Sequence, residues 1–150
     1  MIPVQTAGAP VQAKFNHPNG TSLRLQAFVV VRAADGRVAA VRTQDNPDVW
    51  FLPGETLLLN EDPAEAAKRV LRSWFTTPLD APELVDVFSY PATGGEDNRW
   101  YLLFMYQLQL SPGALLEATP DTLELQFITP GENAPGPWGA DHKSVWEMIP

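Results

Sequence analysis

The stretch that most constrains this chain runs from Trp50 to Trp74. Trp50-Phe51-Leu52 is stopped by Pro53-Gly54, and a helix start follows at Asp62-Pro63-Ala64-Glu65. There Asp62 serves as cap, proline takes the first helical position, and a glutamate falls three residues after the cap. Ala67, Val70, Leu71 and Trp74 then recur at i, i+3, i+4 and i+7, the stripe of a helix packed on a core. The pattern predicts a helix to about Phe75 that stops before Pro78. Core packing is therefore one reading of Val70 and Trp74; ligand stacking by Trp74 is the other.

On either side the pattern changes to strands. Leu23 to Arg32 and Arg37 to Arg42 read as a hairpin closed by Ala34-Asp35-Gly36, since Asp-Gly is a strong turn signal. Leu84 to Tyr90 and Trp100 to Leu110 read as a second hairpin around residues 91–98, and Leu123 to Ile128 as a further strand. A second helix is expected over Asp141 to Met148, capped by Asp141. Before it lies a loop from Thr129 to Ala140, rich in proline and glycine and placed to border a cleft. Residues 1–20 read as an irregular arm that becomes a strand near Val11 to Phe15. The fold class expected is α+β, a mixed sheet flanked by helices, with residues 1–150 as a single domain: the length is near the usual domain size and 45% apolar content suffices for a core.

Charge narrows the partners. Ten basic against eighteen acidic residues give a net charge of −8, which disfavours non-specific binding to nucleic acid or to an anionic membrane. No run approaches the roughly 20 apolar residues of a membrane span. With no cysteine there is no thiolate chemistry or disulfide framework, and the N-terminus lacks the regions of a signal peptide, so a cytoplasmic location is expected. His17 and His142 lack metal-ligand spacing, and a solvated or capping role is expected for each.

Trp50-Phe51-Leu52-Pro53-Gly54-Glu55, with Glu61 and Arg69, resembles the signature of the Nudix superfamily. The family's box reads Gly, five residues, Glu, seven residues, Arg-Glu, an apolar residue, one residue, Glu-Glu, one residue, Gly and a final apolar residue. Glu55 falls on the first glycine, Glu61 on the loop glutamate and Arg69 on the arginine. Beyond Arg69 the match fails, because the family's helix glutamates become Val70, Ser73 and Trp74 and its last glycine becomes Thr76. No other register rescues it, since the sequence contains no Arg-Glu or Glu-Glu dipeptide. The strands before the box occur in the family's order, so the likeness covers roughly residues 23–128 and speaks to fold more than to catalysis. Gly54 and Arg69 are the retained structural positions of the box.

The resemblance implies metal-dependent hydrolysis of diphosphate linkages. Carboxylates at i, i+3 and i+4 share a helix face and repel unless a cation sits among them. Mg²⁺ and Mn²⁺ favour such oxygen ligands, neutralise phosphates and activate water. Here that face offers a valine, a serine and a tryptophan. No cofactor is expected, or Mg²⁺ or Mn²⁺ if the chain is active, with Glu61, Glu55 and Glu65 as substitute ligands. Glu61 and Glu65 each have a plainer reading. Glu61 suits a helix N-terminus and a pair with Arg69, and Glu65 suits an i,i+4 ion pair with Arg69. A glutamate at the family's glycine, Glu55, adopts some glycine backbone conformations only with strain, so a different loop path is expected.

For a ligand, the resemblance makes Arg42, Trp50, Arg99, Trp100 and Trp138 candidate cleft residues. Such indoles can stack on a base, and arginine can meet phosphate with two parallel hydrogen bonds. Packed aromatics and solvated arginines are the plainer alternatives. No catalytic base is singled out among Glu96, Asp97, Asp121 and Glu132. Two functions follow. One is a Nudix-like module without hydrolysis, serving nucleotide binding, regulation or interaction; the other is an active hydrolase of a nucleoside diphosphate-linked substrate with non-standard metal ligands. Partners in view are a nucleotide or nucleotide derivative, a second copy or another protein. An interaction scaffold would show a cleft filled by side chains and an exposed apolar patch elsewhere.

Overall fold

The computed structural model describes residues 12–14, 22–91 and 99–150. Seven strands and two helices follow in the order β1 (Gln12–Lys14), β2 (Ser22–Arg32), β3 (Val38–Thr43), β4 (Gly54–Thr56), α1 (Pro63–Trp74), β5 (Glu83–Pro91), β6 (Arg99–Gln109), β7 (Thr122–Ile128) and α2 (His142–Met148). The main sheet runs β5-β6-β2-β3-β7, with β1 and β4 also paired to β2. It is mixed: β2 and β6 are parallel over Ser22–Arg32 and Arg99–Gln109, and the other pairs are antiparallel. The α+β class with helices on a mixed sheet is thus as expected. Among the described residues no helix is long and apolar enough to cross a membrane.

The period of two along β2 divides the core. Val29 and Val31 face α1, where they meet Ala67, Val70, Leu71, Tyr106 and Leu108. Phe28 and Val30 face α2, where they meet Leu103, Met105, Val145 and Trp146. The turn at Asp35-Gly36 forms as expected: Gly36 adopts φ +90°, and Asp35 Oδ1 accepts from Arg37 N at 3.2 Å.

Past the turn β2 and β3 diverge, pairing directly only at Arg32 and Val38. Residues 50–56 enter the gap. Phe51 exchanges backbone hydrogen bonds with Val41 at 2.8 and 2.9 Å, Val29 N donates to Pro53 O at 3.0 Å, and β4 pairs with Gln26–Phe28. Gly54 is required there, because a Cβ would lie 2.6 Å from the Phe28 ring. This segment therefore belongs to the sheet and delivers the box to the N-terminus of α1.

Candidate functional site

α1 begins as expected, with Asp62 Oδ1 accepting from Glu65 N at 2.8 Å and Pro63 in the first turn. The loop before it turns on Asn60, whose φ of +66° is a conformation asparagine tolerates. That turn folds Glu61 back onto the loop, so its Oε1 accepts from Leu58 N at 3.0 Å. Arg69 grips the same carboxylate with Nε at 2.8 Å and a terminal nitrogen at 3.1 Å, and also donates to Thr56 O at 2.9 Å. Burial tends to raise the Glu61 carboxyl, but Arg69 and the Leu58 amide outweigh it and hold it below the usual range. The guanidinium of Arg69 is raised in turn by Glu61.

Glu65 does not pair with Arg69. It is exposed and meets Lys68 at 3.4 Å, because Arg69 is already committed to Glu61. Glu55 is not strained either: it lies within β4, opposite Ala27, where extended backbone suits any residue. Its Oε1 accepts from Trp74 Nε1 at 3.2 Å. Val70 is fully buried, Ser73 is exposed, and Trp74 is half-buried with its ring against the α1 cluster. Core packing thus accounts for Val70, and packing plus one hydrogen bond for Trp74.

This donor set does not fit a divalent cation. Glu61 spends both oxygens on Arg69 and Leu58, Glu55 meets an indole, and Glu65 stands apart on the exposed side of the helix. Among the described residues no group of three or more histidine, aspartate or glutamate side chains is arranged to hold a metal ion.

The candidate ligand residues are dispersed. Arg42 holds Glu124 Oε1 at 2.7 and 3.2 Å and Pro47 O at 2.6 Å, with its guanidinium 5.5 Å from the centre of the Trp50 ring. Trp50 is 2% exposed, and its main chain bonds Pro137 O and Gly139 N. Both residues line a shallow cavity of about 360 Å³ with Pro135 and Gly136. Trp138 lies 5.2 Å from Trp146 and lines a separate cavity of about 270 Å³ with Glu132, Lys143 and Glu147. Arg99 and Trp100 start β6, and the Trp100 side chain is exposed. Of the carboxylates considered as base, Asp121 and Glu132 sit on exposed turns, whereas Glu96, Asp97 and also His17 lie outside the described residues.

The sequence misplaced His142. It is neither solvated nor a cap: its Nδ1 accepts from Leu52 N at 2.9 Å, and its ring lies about 5 Å from Phe28 and Phe51. Burial there pushes the imidazole from its ordinary 6.5 down to about 4, against a smaller upward effect from Asp141. Asp141 makes no capping bond to α2, because its own φ of +65° turns it away from cap geometry. It is a partner of Tyr101 instead. Tyr101 and Tyr90 stack at 5.1 Å, Tyr90 donates to Gln26 Oε1 at 3.2 Å, and burial raises both phenols. This polar group on the α2 side carried no spacing signal, since its members come from four separated segments.

No family model matches the sequence, and no curated protein matches it. Solved structures do match. A MutT protein from Methanosarcina mazei Go1 superposes with a TM-score of 0.61 at 13% identity, over 84% of this chain and 91% of that one. The dihydroneopterin triphosphate pyrophosphohydrolase of E. coli gives 0.63 at 16%, over 83% and 93%. RenU, a Nudix hydrolase of M. smegmatis, gives 0.62 at 16%, over 91% of each. At these identities the likeness is one of fold, and the fold is Nudix-like.

Proposed function

We propose that this Nudix-like protein has given up metal-dependent pyrophosphohydrolysis and works by binding, as a nucleotide-binding, regulatory or interaction module. The observation that carries the reading is the bond from Trp74 Nε1 to Glu55 Oε1. Counted against the family's box, Trp74 stands where a glutamate is expected and Glu55 where the first glycine is expected. The two departures fit each other: an indole N–H, which can only donate, engages one oxygen of the carboxylate at the glycine position. With Glu61 gripped by Arg69 and the Leu58 amide, both carboxylates near the start of the box are engaged by donors of the chain itself.

Between a small ligand and a protein partner, the surface supports the second. Arg42 and Trp50 are occupied within the molecule, whereas Leu84, Val85 and Val87 are exposed on β5, the edge strand of the sheet. An apolar sheet edge with unpaired backbone groups is a common place for another chain to join. A nucleotide remains within the proposal through the stacked Trp138 face.

Calorimetric titration with Mg²⁺ and Mn²⁺, followed by a phosphate-release panel of nucleotides and nucleotide sugars, tests the reading. We expect no saturable metal binding and no release above background. Release that Glu61→Gln abolishes would establish the working hydrolase in its place. Light scattering on the eluting protein then reports whether the exposed edge joins copies of the chain.

A further inference from the structure

A cavity of about 580 Å³ opens at the C-terminal end of α1, the end away from Glu61 and its loop. Local pairing builds it. Trp74 O and Thr76 N bond residues 119 and 117, and Phe75 bridges Ala118, so the chain leaving the helix is held against this ribbon. Residues 76–81 complete the lining. The volume is within the range of small-molecule sites.

Its floor and rim differ in chemistry. Leu71 and Phe75 are buried beneath it and Leu79 packs on the same cluster, so the floor is apolar. Lys68 and Arg72 stand on the rim, one helical turn apart, in a chain whose net charge is −8. Like charges at that spacing repel, and an anion between them would reverse the effect. Neither cation is satisfied within the molecule to the degree that Arg42 or Arg69 is. Lys68 meets Glu65 only at 3.4 Å and in the open, and Arg72 makes no hydrogen bond or ion pair among the described residues, its charge reaching Glu61 only as a weak through-space effect. Thr76 adds a hydroxyl whose bond to Glu117 O is long, at 3.4 Å. Asp80 is the one acid in the lining, and it is exposed.

A free phosphate would leave the apolar floor wet, and a neutral hydrocarbon would leave Arg72 without an anionic partner and Lys68 with only its exposed contact to Glu65. We propose that this cavity binds an amphipathic anion, with an apolar chain on the Leu71–Phe75–Leu79 floor and a carboxylate or phosphate head between Lys68 and Arg72. The site uses the C-terminal half of the box helix and not Glu55 or Glu61, and its test does not depend on whether hydrolysis has been lost.

Decanoate and decyl phosphate are the probes, decanol and inorganic phosphate the controls, and the readouts are calorimetry and amide shifts in the full chain. We expect at least one of the two amphipathic anions to bind, to move amides of residues 71–81, and to bind about tenfold more weakly in Arg72→Gln, as loss of a charge-assisted hydrogen bond implies. Which of them binds more tightly identifies the head group. Lys68→Gln should act in the same direction, and both variants change exposed helix positions that leave the melting temperature near the parent's. The proposal is overturned if neither probe moves those amides, if decanol binds as tightly as decanoate, or if Arg72→Gln leaves affinity unchanged.

Discussion

The two helices lie on opposite faces of one sheet and are fastened in opposite ways. α1 is anchored by polar contacts at both ends: the Asp62 cap and the grip of Arg69 on Glu61 toward its start, and the bond from Trp74 back to Glu55 at its last residue. α2 is seven residues long, has no side-chain cap, and is seated by Val145 and Trp146, with the His142 ring lying against Phe28 and Phe51. A helix that short gains little from its own hydrogen bonds and must be held by packing. Charge therefore serves α1, while α2 depends on a titratable ring staying neutral, and acid should separate the two.

The largest effect is expected at α2. The folded value for His142 lies near 4 and the unfolded value near 6.5, so the unfolded chain binds the proton first. The stability contributed by the neutral ring is complete above pH 6.5 and is lost as the pH falls toward 4. The difference corresponds to about 3 kcal/mol. Urea titrations at pH 7, 5.5 and 4.5, followed by tryptophan fluorescence, should show this decline. In His142→Leu the chain should start less stable, with Leu52 N unpaired, yet vary much less over that window. An equally steep decline in the variant would show that the ring is not seated as described.

The same contrast explains what could be read from sequence. The α1 start, its apolar stripe and the Asp35-Gly36 turn are set by neighbours within one or two turns, and all three formed as the residues implied. The parallel pairing of β2 with β6 and the entry of residues 50–56 between β2 and β3 depend on distant segments and left no local mark. The bond from Leu52 to His142 spans 90 positions. Even within the box, the residues offered Arg69 both Glu61 and Glu65 as partners. The left-handed turn at Asn60 brings Glu61 to Arg69 as expected, and Glu65 turns to Lys68.

Glu61→Gln sharpens the comparison from the α1 side. The carboxylate is 12% exposed and its partner 23%, so the pair is screened less than a surface bridge but is not sealed. Removing the charge leaves Arg69 with Thr56 O and a neutral amide. A loss of about 2 kcal/mol is expected, below the cost of breaking a fully buried pair. The folded value of Glu61 lies below its ordinary 4.5, so its contribution is complete above that pH and falls away beneath it. Denaturation at pH 7 and pH 3.5 should therefore show the variant and parent converging in acid. A constant gap between them would mean that packing, not charge, holds the loop.

The smallest effect is reserved for the cap. Asp62→Ala removes the acceptor for Glu65 N at an exposed helix start, where the freed N–H can turn to water. About 1 kcal/mol is expected, the usual value of such a cap. Because Glu61 and Arg69 fasten the same end of α1 independently, the double variant with Glu61→Gln should lose more than the sum of the two: with either contact gone the first turn is still held, and with both gone it frays. Hydrogen exchange at residues 65–67 measures that fraying directly. Strict additivity would show that the cap and the ion pair do not share the helix start, and α1 would then owe its place, as α2 does, to its buried face.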